Sequence, residues 1–592
     1  MISSGLRSWI TTLFGIDLRT LALFRIALGL VLLCDLLNLF PYLDAFYSDQ
    51  GILPRDAAMD RLPPQKFSFH LFNGTVTYQA LLFTGQAILA LALIIGYRTR
   101  LVTILSWVFY ISLVNRNTLI IQGGDILLGA LLFWAMFLPL NARFAIDSAL
   151  NSGPQIRENR YFSFATLGLL LQASYVYVFG ALLKTSPVWM PDGDAVYYAL
   201  HLDSMASPLA HWLRDYPLIM KWLTYFVWWI ELLTPLLLFC PIFHLPVRLV
   251  TLFLLICMHI GFITFLNIGL FAFISITSLL AFTPGWVWDR LSNSLIKTEQ
   301  RKIRIYYDEG CSFCKKTCLL LREFCLPREI TITPAQSVAE IYALMEQHNS
   351  WVVMDHKDTP HLRWDAVIFV LRQSPVFGVF GRLLSLKPLR LLGDRCYGLI
   401  ARNRTTLGDL TTTWLPYRPI RLSLSPLDQG IVLIFILMTF YVNLFHLKGL
   451  GLHMPEGIRL SLSATNMYQK WDMFAPRPLM TDGWVTIKGE LRNGRLVDVY
   501  HDRHQEPEFV KPVYGAWDYE DYRWRKYFSR IWLKKYASYR KYYGRYLCSR
   551  WNRQHREQLQ KLTLYYTSEK TMPDYKPEKV RRHVLLRYHC AS

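Results

Sequence analysis

Long apolar stretches, each near the length that crosses a bilayer as helix, follow one another through the first half of this chain. A hydrocarbon core of about 30 Å takes roughly 20 residues of α-helix. On that measure the sequence predicts helices near 20–39, 76–96, 101–115, 123–140, 163–183, 222–241, 247–266 and 268–283, and a ninth at 429–446. The third is short, and the seventh and eighth are close enough to be one broken segment. The expected fold class is a polytopic α-helical membrane bundle of about nine helices, with the lipid membrane as its first partner. Composition agrees. The chain is 53% hydrophobic and 18% charged, where soluble domains carry roughly a quarter charged residues. No cleavable signal peptide is expected, because Arg25 interrupts the first strong apolar run and no small-residue cleavage site follows it.

Charges in short loops set orientation. Arg98 and Arg100 follow the second helix, Arg143, Arg157 and Arg160 the fourth, Arg248 the sixth, and Arg290, Lys297, Arg301 and Lys302 the eighth. All fall on the side of Arg7 and the N-terminus. The opposite loops hold Asp44, Asp49, Asp56 and Asp60, then Asp192, Asp194 and Asp203. The N-terminus and the segment 286–425 are therefore expected in the cytoplasm, and the ninth helix would carry 448–592 to the other face. That tail holds 28 Lys/Arg against 15 Asp/Glu and supplies much of the net charge of +21. Beside a membrane such an excess reads as contact with anionic headgroups. No nucleic-acid motif accompanies it, so no nucleic-acid partner is expected.

Between the eighth and ninth helices the pattern changes. Residues 302–307 (KIRIYY) read as a strand, and 312–325 have helical spacing with Cys314, Cys318, Leu321 and Cys325 along one face. Strands near 330–333 and 351–354 and a helix near 366–372 complete a small inserted α/β domain. In the tail, WVTIKGEL and RLVDVY flank Asn493-Gly494, a hairpin signal. Residues 519–562, rich in Tyr, Trp, Arg and Lys, read as one or two amphipathic helices that lie either at a membrane interface or on the tail's own hairpin. The tail is thus an α+β extramembrane region.

The strongest chemical signal is Tyr307-Asp308-Glu309-Gly310-Cys311-Ser312-Phe313-Cys314. A strand ends, glycine allows a tight turn, and Cys311 stands at a helix start. Backbone N–H groups and the helix dipole there favour a thiolate. Lys315 and Lys316 add positive charge, opposed by Asp308 and Glu309. Cys314, one turn on, can attack a mixed disulfide at Cys311, which suits dithiol–disulfide exchange. The alternatives are a metal held by some of these thiols and a structural role. Cys311 and Cys325 lie about 20 Å apart along a helix, so one ion cannot reach all four, and no metal is assigned. Of the ten cysteines, Cys34, Cys240 and Cys257 sit in apolar runs, while Cys396, Cys548 and Cys590 are scattered and form no recognisable secreted disulfide framework.

These residues carry a resemblance. YDEGCSFC, with GDRCYGLIARNR at Gly393–Arg404, resembles the DCC family of thiol–disulfide oxidoreductases, whose pattern is D-G-x-C-x-x-C with a later Tyr and N-R. This chain has Asp308-Glu309-Gly310 in place of Asp-Gly. The resemblance spans about 105 residues within a 300–410 domain and implies a thioredoxin-like fold.

A second constellation lies in the membrane. Arg25 and Asp35 interrupt the first helix, Asn115 and Asn117 end the third, Asp125 opens the fourth, Glu231 lies in the sixth and His259 in the seventh. Ionisable groups in lipid point to function by default. The structural alternative is a pair such as Arg25 with Glu231. Lys184 ends an apolar run, where a lysine usually snorkels; desolvated, it becomes a candidate base. The stretches LALFRIALGLVLL, RTRLVTILSWVFYISLVNRN, GALLKTSPVWMPDGDAVYYAL, WWIELLTPLLLF and CMHIGFITFLNIGLF make 10–290 resemble the HTTM domain, the transmembrane part shared with vitamin K-dependent gamma-carboxylase. That resemblance implies Lys184 as the base acting with a reduced quinone.

Four segments are expected: an HTTM-like bundle at 10–290, a thioredoxin-like domain at 300–410, a further span at 426–447 and the basic tail at 448–592. Three functions remain open. The first is a membrane thiol–disulfide oxidoreductase in which Cys311 attacks and Cys314 resolves. Its partner is a protein or small thiol, and it is coupled to an isoprenoid quinone or another lipid near Arg25, Glu231 and His259. The second is a carboxylase-like oxygenase with Lys184 as base, and the third a non-enzymatic transporter or scaffold.

Overall fold

The computed structural model describes residues 4–573, 576 and 579–590, without the side chains of 4–8, so the Arg7 side chain lies outside the described residues. The chain is mostly helical. Among the described residues five helices are long and apolar enough to span a membrane: Leu18–Tyr47, Val76–Ile95, Phe164–Leu183, His244–Phe265 and Pro426–Phe445. A sixth is counted if Phe271–Leu280 and Gly285–Leu295, bent by 87°, form one broken span.

The difference from nine has visible causes. Pro217–Leu238 forms a 22-residue helix, but Lys221, Glu231 and its tryptophans dilute its hydropathy. Thr99–Arg116 forms over 18 residues, with Arg100, Asn115 and Arg116 at its ends. The expected 123–140 helix stops at Ala135 after 13 residues. The seventh and eighth are separate: 266–270 turns between them, and Gly269 has φ +64° with Tyr522 packed where a side chain would stand.

Leu18–Leu39 packs on Val76–Ile95, and Phe164–Leu183 packs on both Pro217–Leu238 and Pro426–Phe445. The late span thus belongs to the bundle formed by the early ones. The core includes Phe24, Leu131, Trp134 and Leu169, and also Met467 and Trp471 from the segment after the last span. Gln469 donates to Gln172 at 3.1 Å, and the Trp471 indole donates to Gln469 at 2.9 Å. Residues 466–476 therefore enter the bundle. A fully buried tryptophan is worth about 3–5 kcal/mol against alanine.

Arg25 is fully buried near one end of the bundle. Its guanidinium donates to the carbonyls of Leu140 (2.9 Å), Ile94 (3.2 Å) and Phe144 (2.5 Å). Gly96, with φ +69°, ends the helix beside it; a Cβ there would stand 2.6 Å from Arg25 Nη1. The arginine that breaks the apolar pattern thus satisfies backbone carbonyls at one helix end and in the loop at 140–144.

Loops 96–98, 140–163 and 283–303 gather at this end, and 40–75, 117–122 and 184–216 at the other. A four-stranded sheet in the order Thr331–Pro334, Arg304–Tyr307, Val352–Met354, Pro360–Leu362 stands at the first end. The first pair is parallel and the others antiparallel. Helix Ser312–Cys325 connects the parallel pair and rests on the bundle, where Glu323 accepts from the Phe144 N–H at 2.8 Å.

A second antiparallel sheet, in the order Lys579–His589, Leu559–Lys570, Thr481–Leu491, Leu496–Asp498, stands at the other end. The Asn493-Gly494 hairpin forms, with Gly494 at φ +83°. The aromatic–basic segment gives helices Tyr522–Ile531 and Arg540–Gln554. Their Tyr527, Phe528 and Tyr543 bury against Val485 and Ile487 of this sheet and against Phe46 and Leu119 of the bundle. Packing, not an interfacial face, accounts for their aromatic residues. From residue 559 the chain is strand where helix was expected.

Candidate functional site

Strand Arg304–Tyr307 delivers a turn in which the Cys311 N–H donates to the Asp308 carbonyl at 3.0 Å. Cys311 is then the N-cap of Ser312–Cys325: its Sγ accepts from the Cys314 N–H at 3.1 Å. The two Cα atoms are 5.2 Å apart and the sulfurs are bonded. A helix start offers unsatisfied N–H groups and the positive end of the dipole, so a thiolate released at Cys311 is stabilised where it forms. Lys315 lies over the Tyr307 ring at 5.7 Å. By residue, Cys311 is buried and Cys314 half-buried.

The residue before the glycine turn is held from three directions. Asp308 Oδ1 accepts from the Gly310 N–H at 3.1 Å and from Gln336 Nε2 at 3.0 Å. Its Oδ2 lies 3.7 Å from Arg404 Nη1. Arg404 also donates to Asn349, and Tyr397 donates to Ser350 at 3.3 Å. The two ends of the motif, nearly a hundred residues apart, therefore meet beneath the dithiol, and the additional Glu309 leaves Asp308 able to brace the turn.

The remaining clustered cysteines do something else. Cys318 and Cys325 are buried in the domain core with Ile305, Val353 and Val370. Burial pushes the Cys318 thiol up to about 12 and that of Cys325 up to about 11. Thiols so protonated are poor nucleophiles and poor metal ligands.

Within the bundle the expected residues are distributed over separate contacts. Lys184 donates to Glu231 in a buried pair and lies over the Trp189 ring at 4.7 Å. Tyr177 and His259 Nε2 hydrogen-bond at 2.8 Å, while His259 Nδ1 is buried without a partner among the described residues. Gly180 lies between Tyr177 and Lys184 on one helix face, where a Cβ would be in ordinary van der Waals contact with Glu231 Oε2 at 3.6 Å. Arg25 is elsewhere, on the carbonyls described above, and does not pair with Glu231. The Lys184 amine and the Glu231 carboxyl thus share one buried hydrogen bond.

Asp35 and Asp125 are joined by a residue outside the bundle's sequence. Arg523 Nη2 lies 2.6 Å from Asp35 Oδ1 and 2.9 Å from Asp125 Oδ1, all three side chains being buried. Tyr110 donates to Asp125 at 3.4 Å. Asn115 and Asn117 donate to the Phe67 and Phe46 carbonyls. These polar groups hold loops and the tail in place.

Cys548 and Cys590, scattered in the sequence, form a disulfide with Cα atoms 5.5 Å apart. It ties Arg540–Gln554 to the end of the last strand. No spacing rule finds it, because the partners lie on a helix and a strand that meet only in the folded tail.

With this geometry in hand, the comparisons are specific. Residues 15–286 match the family model of the HTTM domain, and residues 305–409 match that of the DCC1-like thiol-disulfide oxidoreductases. Neither a curated protein nor a solved structure matches the chain.

Proposed function

We propose that this chain, an HTTM membrane domain followed by a DCC1-like domain, is a membrane-anchored thiol–disulfide oxidoreductase whose reacting pair is Cys311 and Cys314. The observation that carries the reading is the Cys311 sulfur at a helix N-cap, bonded to Cys314 one turn on. The sheet order, with one parallel pair joined by the cysteine-bearing helix and an antiparallel hairpin beside it, is the arrangement a thioredoxin-like domain requires.

In the reducing direction the Cys311 thiolate attacks one sulfur of a partner disulfide. The partner's S–S bond breaks, its other sulfur leaves as thiolate, and a mixed disulfide joins Cys311 to the partner. The Cys314 thiolate then attacks Cys311 Sγ and expels the second partner thiolate, closing Cys311–Cys314. Two electrons pass from the dithiol to the partner, and the leaving thiolates take up protons from water. The oxidising direction reverses each step. The partner is a protein or small-molecule disulfide.

The basic loops at the dithiol's end of the bundle favour the cytoplasm, and the Cys548–Cys590 disulfide at the opposite end favours an oxidising compartment for the tail. The isoprenoid quinone has no support in the geometry, because Arg25, Glu231 and His259 serve three separate contacts. The carboxylase-like reading finds its candidate base, Lys184, already hydrogen-bonded to Glu231.

The test is trapping in the full-length chain. Cys314→Ser should accumulate a mixed disulfide through Cys311, released by dithiothreitol, and Cys311→Ser should not. If neither variant traps a partner or a small thiol, while the wild-type pair exchanges with none, the reading fails.

A further inference from the structure

The inserted domain carries an exposed apolar face that its own fold leaves uncovered. Helices Gly378–Leu384 and Lys387–Arg402 follow one another in the last third of the domain. Val376, Val379 and Phe380 on and before the first, and Leu391, Leu392 and Leu399 on the second, are each more than half exposed. On the second helix these residues share a face with Arg395 and Cys396, while Gly393 turns inward against the Trp364 ring. Two consecutive helices that turn leucine, valine and phenylalanine outward present the kind of exposed apolar face that marks an interaction surface.

The exposed, unpaired charges around that face are basic. Arg382, Lys387, Arg395 and Arg402 are exposed and make no ion pair among the described residues. Arg390 pairs with Asp365 at 2.5 Å, and Asp394 is half-buried. The domain is also held close to the bilayer at two points. Glu323 accepts from the Phe144 N–H at the bundle's end, and Tyr97 donates to the Trp414 carbonyl at 2.8 Å. From Trp414 only 11 residues lead to the helix Pro426–Phe445.

We propose that Gly378–Leu384 and Lys387–Arg402 lie on the leaflet from which the bundle emerges. Their apolar side chains enter the acyl–headgroup boundary and the flanking arginines and lysine meet anionic headgroups. The inference rests on the tether, the exposed face and the charge pattern, and not on the redox reading. Amphipathic helices with basic flanks bind in this way, and lipid charge contributes about five-fold per basic residue near the surface.

Cys396, exposed on this face and free, supplies the probe site. The full-length chain, with Cys34, Cys240 and Cys257 replaced by alanine and both disulfides intact, is labelled there with an environment-sensitive fluorophore and placed in nanodiscs. Some discs hold phosphatidylcholine alone and others added phosphatidylglycerol, each with a nitroxide lipid labelled just below the headgroup. The nitroxide lipid should quench the probe, and more strongly with phosphatidylglycerol. The double variant Lys387→Gln/Arg395→Gln should lower the docked-to-free ratio in anionic discs by about 30-fold. Leu391→Asp/Leu399→Asp should abolish quenching in both discs while leaving the Cys311–Cys314 disulfide titratable, which shows the domain folded. Absence of quenching in anionic discs overturns the proposal. So does a signal that depends on the number of protein copies per disc, which would assign the face to a second chain.

Discussion

Arg523 offers the sharpest perturbation of the bundle's union with its tail. It reaches from helix Tyr522–Ile531 to Asp35 and Asp125 with contacts of 2.6 and 2.9 Å, all three side chains being at most 5% exposed. Arg523→Met keeps much of the side-chain volume and removes the charge. Two carboxylates are then left buried without their cation. Removing one partner of a buried pair costs about 3–5 kcal/mol, most of it the penalty on the group left behind. The tail also buries Tyr527 and Phe528 against the bundle, so the variant should fold and loosen locally. At about 1.4 kcal/mol per factor of ten, amide exchange in Tyr522–Ile531 and in residues 117–125 should accelerate by about 10²- to 4 × 10³-fold in nanodiscs. The rest of the bundle should change little. The triple variant Arg523→Met/Asp35→Asn/Asp125→Asn should recover most of the protection, because neutral amides leave no unpaired charge. Acceleration below about five-fold, or no recovery in the triple variant, would refute the claim that this cluster docks the tail.

Other expectations are simpler to read. Cys318 and Cys325, whose thiols burial pushes up to about 12 and 11, should resist alkylation in the folded protein at neutral pH, reacting at least about ten-fold more slowly than exposed Cys396; equal rates would contradict their placement in the core. Cys548→Ser removes a cross-link closing 42 residues and should destabilise the tail by about 4 kcal/mol on the chain-entropy account, read by pulse proteolysis with and without reductant. The hydrogen bond to Asp498, then that to Asp518, pushes His501 up to about 9. Its contribution is therefore complete below the free-histidine range near 6.5 and fades as pH rises through about 9. His501→Gln should flatten the tail's stability between those limits, and an unchanged profile would remove His501 from the account.

The dithiol was legible because its signal is local: a strand, a glycine turn and a cysteine before a helical face stand within a dozen residues, and the structure places Cys311 at the cap. The late Arg404 was visible only as part of a resemblance; its contact with Asp308 needed the fold. The helices were legible as apolar runs. Their number as spans was not, since Pro217–Leu238 and Thr99–Arg116 carry polar groups whose partners lie elsewhere in sequence. Asp35 and Asp125 read as exceptions inside lipid because the arginine that explains them follows Asp35 by 488 residues. The strands Leu559–Lys570 and Lys579–His589 were hidden by their Lys, Arg and Tyr content, which suits a helix as well as a sheet edge, and with them the Cys548–Cys590 bond was hidden.

The most direct measurement is a redox titration of the full-length chain in nanodiscs, equilibrated against graded dithiothreitol buffers and quenched with a mass-tagging maleimide. The account predicts one reversible two-electron transition that maps to Cys311 and Cys314 by peptide mass. It should vanish in Cys311→Ser and remain in Cys548→Ser. A Cys311–Cys314 pair that stays reduced or oxidised throughout, or a transition at Cys314 that survives Cys311→Ser, would contradict it.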